Sequence, residues 1–187
     1  CPTLSTFTSL TKFYCKMNYD MIRIPLEKGL SDELFNLLEG NIIEALLKEA
    51  KVDRFQNEMK NFLEGNSFKV TREIAPSLWD SFQEVKTKLD FNEDIDFYVT
   101  SSPEINAYAA LSLEPGKAHI INIYSSLIER MDDDELKFII GHEMGHLISR
   151  NASITAILHF VYPDFDRIPI LLYHKVNLWQ KLAELTA

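Results

Sequence analysis

The chain has 187 residues, of which 46% are hydrophobic, 25% charged and 11% aromatic, a balance that excludes disordered, collagen-like and low-complexity classes. A chain of this length buries on the order of 70% of the surface its unfolded form exposes, so one compact domain needs no disulfide or metal staple. With 28 acidic against 19 basic residues the net charge is -9, which repels phosphate backbones and anionic headgroups and sets nucleic acid and membrane surfaces aside as partners.

No run reaches the ~18 to 20 apolar residues that span a bilayer, so no transmembrane segment is expected. The most apolar zone, Ile154 to Tyr173, is broken by Asp164, Asp166, Arg167 and two prolines and reads as a buried or mobile loop. Cys1 and Cys15 are too few and too local for a disulfide framework, which fits a reducing compartment and favours a soluble, cytoplasmic protein. The first residue is not Met, so a processed or trimmed terminus is expected, and no signal segment supports a lipid-modified Cys1.

In chain order, Cys1 to Met17 lacks periodicity and is expected to be a loose arm. From Ser31, Leu34, Leu37, Leu38, Ile42, Ala45 and Leu46 recur at helical spacing, with Ser31 as N-cap. A second amphipathic helix follows Pro76, with Leu78, Phe82, Val85 and Leu89 on one face and the proline in its first turn. The helical amino-terminal region is thus placed at 31–90. Strand-like segments follow at Ile95 to Thr100, Ile105 to Leu111 and His119 to Tyr124, the last two joined by a hairpin at Glu114-Pro115-Gly116-Lys117. Asp132 to Asp134 open a helix through Leu136, Ile139, Ile140, Met144 and Leu147 to about Ser149, their charge suited to a helix N-terminus. Val176, Trp179, Leu182 and Ala183 mark a final helix.

The chemistry is carried by His142-Glu143-Met144-Gly145-His146, a spacing that chance gives in roughly one chain in a hundred of this composition. Residues four apart share a helical face about 6 Å apart, so both imidazoles reach one Zn²⁺. Glu143, one residue round, reaches the metal-bound water and serves as its general base, giving hydrolysis of an amide. A mere surface stripe is the bland alternative. The apolar neighbours Phe138, Ile139, Ile140, Met144, Leu147 and Ile148 weigh against it, because unpaired charge is costly in a buried segment. A catalytic zinc needs a third protein ligand. Ser149 and Ala152 stand where a metzincin has Gly and His, which excludes that class. His159, Asp164, Asp166, His174 and Glu184 remain. Glu184, 38 residues beyond His146, lies far enough along for a second helix to return beside the first.

Asp133-Asp134-Glu135-Leu136 followed by Ile139-Ile140-Gly141-His142-Glu143-Met144-Gly145-His146 resembles the zinc metallopeptidases of the HtpX and CAAX prenyl protease group, gluzincins with a zincin-like α+β fold. The resemblance covers about 95–187 and implies one Zn²⁺ per chain, a peptide or protein substrate, and Glu184 as the third ligand on a second helix. It also implies that Asn106-Ala107-Tyr108-Ala109 is an edge strand, to which an extended peptide adds by main-chain hydrogen bonds. The family's ligand Glu begins an E-x-x-x-D run, of which Glu184 to Ala187 supplies four places, so a carboxy-terminal truncation of the core is expected. The resulting reading is a single domain, 1–187, acting as a zinc metalloendopeptidase. Its alternative is a silent or latent zincin domain used for binding, with Ile154 to Leu172 plugging the cleft. An oxyanion donor is sought among Tyr162, His159, Tyr173 and His174.

Overall fold

The computed structural model describes residues 19, 23–40, 42–43, 46, 54–112, 116–149, 151–162, 164 and 167–187. The expected arm, both cysteines, Ala45 and Asp166 lie outside them. Among the described residues the elements run α1 (Pro25–Leu37), α2 (Arg54–Asn66), β1 (Ser67–Lys69), α3 (Pro76–Lys88), β2 (Ile95–Thr100), β3 (Ala107–Ala110), β4 (His119–Tyr124), α4 (Ser125–Arg130), α5 (Asp133–Ile148), α6 (Asn151–Val161) and α7 (Ile170–Thr186).

The four strands form one mixed sheet in the order β1-β2-β4-β3, an α+β arrangement. β2 and β4 are parallel, from Ile95 opposite His119 to Thr100 opposite Tyr124. β1 lies antiparallel to β2, and β3 antiparallel to β4, from Ala107 opposite Ile123 to Ala110 opposite Ile120. β4 is central and buried from His119 to Ile123, which is why its sequence is a nearly continuous apolar run rather than an alternation. β3 is an edge strand, shorter than the expected 105–111. The hairpin turn joining β3 to β4 falls partly on undescribed residues.

Two cores form on different partners. In the first, Phe82 and Val85 of α3, Phe97 and Val99 of β2, Ile121 and Ile123 of β4 and the buried face of α5 pack together, with the Phe82 and Phe97 rings stacked at 5.0 Å. In the second, Leu30 and Leu34 of α1 meet Ile157 and Leu158 of α6 and Val176 and Trp179 of α7. The far face of the sheet carries a smaller cluster in which Leu63 of α2 covers Tyr98, Ala110 and Ile120.

Two expectations are corrected. The first helix starts at Pro25, whose fixed φ suits a first turn, so Ser31 is not an N-cap but a buried mid-helix residue. Leu37 and Ile42 are more than half exposed rather than on its buried stripe. The apolar zone from Ile154 is not a loop. Asp164, Arg167 and the prolines fall in the short 162–169 connection, leaving α6 and the start of α7 uninterrupted on either side. None of that zone's described residues lines the cleft beside the two histidines, and Ile154, Ile157 and Leu158 are buried in the second core. Among the described residues no helix is long and apolar enough to cross a membrane.

Candidate active site

α5 starts where its own side chains satisfy its free amides. The Asp132 carboxylate accepts from the amides of Asp134 and Glu135, each at 3.0 Å, and Glu135 accepts from the Asp132 amide at 3.0 Å. This reciprocal cap leaves three carboxylates in the first turn, where the helix dipole favours them. Leu136, Ile140, Met144 and Leu147 then bury one face in the first core. That burial fixes the helix rotation and turns His142 and His146 toward a cleft of about 520 Å³ between α5 and β3.

The His142 and His146 rings lie 4.7 Å apart at 77°. Glu184, near the end of α7, brings Oε2 to 3.4 Å from His142 Nε2 and 3.6 Å from His146 Nε2. One donor atom from each of the three residues lies within 4.8 Å of the others. Two donors held at about 2.1 Å by one tetrahedral ion stand about 3.4 Å apart, so the two imidazole-to-carboxylate spacings fit a shared cation. Burial pushes the His146 pKa down, and the His142 ring adds to that against the opposing pull of Glu184. The net effect favours the neutral imidazole that ligates metals.

Glu143 is 6% exposed. Its pKa is raised to about 7, chiefly by burial and then by the Glu184 charge, while a hydrogen bond from the Ala109 amide works the other way. Such a carboxyl exchanges a proton near neutral pH, as a general base requires. Its position also reports on the sheet edge. The carbonyl of Asn106 accepts from the Tyr124 amide at 3.0 Å, and antiparallel pairing alternates. Ala107 and Ala109 therefore direct their main-chain groups away from β4, and Ala109 reaches Glu143. Asn106, Ala107, Tyr108 and Ala109 all line the cleft.

α7 approaches α5 at a glycine. A Cβ on Gly145 would stand 2.6 Å from the Cα and carbonyl carbon of Ala187, closer than packing allows, so the third position of the His142-x-x-x-His146 spacer, next to His146, is small for a structural reason. In the sequence Gly145 shows only as part of the spacing, and the Ala109 amide does not show at all. Neither carries a local signal, because each is defined by what another element brings to it.

The other candidate ligands are elsewhere. His174 lies on α7 against the Tyr173 ring, and Asp164 pairs with Arg167 in the 162–169 connection. Tyr162 packs on the second core, and neither it, Tyr173 nor His174 lines the cleft. The side chain of His159 is outside the described ones.

Comparison with known proteins places the chain in a family. The model of peptidase family M48 matches residues 75–172, from the residue before α3 to the first turn of α7. The chain is 35% identical over 99 residues to the plastoglobule-localized metallopeptidase 48, chloroplastic, of Arabidopsis thaliana, covering 49% of this chain and 28% of that protein. It is 36% identical over 70 residues to the protease HtpX homolog of Helicobacter acinonychis (strain Sheeba), covering 37% of this chain and 21% of that protein. It is 30% identical over 92 residues to the protease HtpX homolog of Tropheryma whipplei (strain Twist), covering 48% and 30% respectively. The chain thus spans less than a third of the length of these relatives. Because the matched stretch takes in just over half of the chain, including the whole helix on which the two histidines and Glu143 stand, the chain belongs to peptidase family M48.

Proposed function

We propose that this chain is a single domain holding the catalytic core of a zinc-dependent endopeptidase of zincin-like fold, with the core at 95–187. His142, His146 and Glu184 hold the metal, Glu143 is the general base, and Asn106 to Ala109 bind the substrate backbone. The observation that carries the reading is the convergence of three metal-competent donors beside a buried carboxyl, in a cleft bordered by a sheet edge with main-chain groups to spare. Membership of a peptidase family and the metallopeptidase and protease names of the relatives support a metal-dependent hydrolysis of peptide bonds.

A zinc ion held by these three groups supplies Lewis acidity, acidifying water and polarising a carbonyl. The protein's own residues do the rest. An extended peptide adds to β3 through the outward amide and carbonyl of Ala107 and the outward carbonyl of Ala109, with the small side chains of both letting it come close. Glu143 takes the proton of the attacking water and returns it to the leaving amine. The Ala109 amide holds that carboxyl in place between the strand and α5.

The test is zinc content per chain by elemental mass spectrometry, on protein purified without added metal. About one zinc in the parent and far less in Glu184→Ala supports the ligand set, and no zinc in the folded parent sinks it.

A further inference from the structure

The helix that carries Glu184 touches a buried polar cluster at the amino end of α1, remote from the cleft. Glu27 is fully buried, and its carboxylate accepts from Arg23 Nε at 2.9 Å and Nη2 at 2.8 Å. The Ser31 hydroxyl donates its only proton to Glu27 at 2.6 Å. Both of its lone pairs are taken, one by Arg23 Nη2 at 3.0 Å and the other by the Trp179 indole N–H at 2.9 Å. A hydroxyl has no further capacity, so Ser31 is saturated and the indole has one place to be. Trp179 itself is 1% exposed.

The apolar contacts of the second core are non-directional, and Leu30, Leu34 and Val176 tolerate a small slide or rotation of α7 on α1. The indole hydrogen bond does not, because turning α7 away strands a buried donor beside a buried ion pair. Five residues separate Trp179 from Glu184, about 140° round the helix, so one faces α1 while the other faces α5. A rotation of α7 by about 20° moves a carboxylate at a radius of about 6 Å by about 2 Å. Metal ligation tolerates about 0.2 Å. The only other polar link described along this seam, Lys175 with Glu33, joins two half-exposed side chains and constrains little. Both α1 and Glu184 lie outside the stretch matched by the family model.

We propose that the Arg23–Glu27–Ser31 cluster, through the Trp179 indole, sets the rotation of α7 and so holds Glu184 against His142 and His146. The residues of this cluster are positioning residues, and the inference rests on the metal reading above.

The experiment is a double-mutant cycle on Zn²⁺ affinity, read by competition with a weak chromophoric chelator on the full chain at a temperature where circular dichroism shows every variant folded. Trp179→Phe and Ser31→Ala are each made in the parent and in Glu184→Ala, whose two imidazoles still bind zinc weakly. In the parent each substitution is expected to weaken zinc on the order of tenfold, the scale of lost outer ligand support. In Glu184→Ala each is expected to change Kd by less than about twofold, since the ligand being positioned is gone. Equal weakening in both backgrounds would show a merely structural cluster and overturn the proposal, as would parent-like affinity in both variants. A parent that binds no zinc overturns the metal reading itself, and this one with it.

Discussion

The first core is backed by a sheet, the second is helices alone, and the site draws on both. α5 is pressed between α3 and strands β2 and β4, so His142, His146 and Glu143 inherit the rigidity of a four-stranded layer. Glu184 stands on α7, which α1 and α6 hold. Near the cleft the two bodies touch where Ala187 meets Gly145. The difference teaches that the candidate ligands are divided: two come preset on one helix, and the third depends on packing far from the chemistry. A metal bound there would join the cores, and weakness in the second would reach the site through α7.

The largest expected effect tests the sheet-backed side. Glu143→Gln should lower peptide hydrolysis by about 10²- to 10⁴-fold, the span of general-base catalysis, while metal content stays at the parent level. Hydrolysis that survives would place the proton transfer elsewhere.

Next, Leu34→Ala removes a fully buried side chain from the second core, and such truncations cost about 2 to 5 kcal/mol. Each core holds one of the two tryptophans, Trp79 against the first and Trp179 within the second. Single-tryptophan versions of Leu34→Ala should therefore unfold in urea at two midpoints, Trp179 before Trp79. Coincident transitions would mean that the cores are one cooperative unit and would break the comparison. Saturating zinc, at about 100 times its Kd, should add about 2.7 kcal/mol to the state that binds it.

A smaller effect is expected where the cores touch. Gly145→Ala is favourable for the helix by about 1 kcal/mol, yet its Cβ meets the Ala187 backbone. Zinc affinity should fall about tenfold, which is about 1.4 kcal/mol, with no loss of apo stability by thermal melt. A fall in both together would mean that the contact matters to the fold and not to the ligand.

The smallest effect lies on the far face of the sheet, where Lys69 at 2.6 Å and Lys60 at 3.2 Å pair with Asp96. Burial works to raise the Asp96 pKa, but these hydrogen bonds and charges outweigh it and hold the carboxyl below its usual value. A carboxylate depressed in the folded state stabilises above its unfolded pKa of about 3.9, and that contribution fades as pH falls through the folded value. Asp96→Asn should cost up to about 1 kcal/mol at pH 7, given two half-exposed lysines, and parent and variant should converge in acid. A gap that persists there would point to packing rather than charge.

The fold was legible wherever neighbours in sequence decide the outcome. β2 and β4 occupy the residues their β-branched and aromatic runs predict, and α5 is capped by Asp132 as its acidic turn implies. The start of the first helix is not legible, because Ser31 has the chemistry of a cap while its actual role, bonded to Glu27 and Trp179, depends on a residue 148 positions away. The helices of the zone from Ile154 are not legible either, because a count of charges and prolines over twenty residues hides their confinement to one short connection.

For the candidate site the division has the same cause. The spacing of His142 and His146 on one helical face, with Glu143 beside them, follows from a period of 3.6 residues and is determined by five consecutive letters. The approach of Glu184 to the two imidazoles, the small residue required at Gly145 and the amide that Ala109 offers to Glu143 depend on how α7 and β3 dock against α5. Docking is decided by complementary shapes and by polar groups seeking partners across the whole molecule, and no local pattern in the chain encodes it.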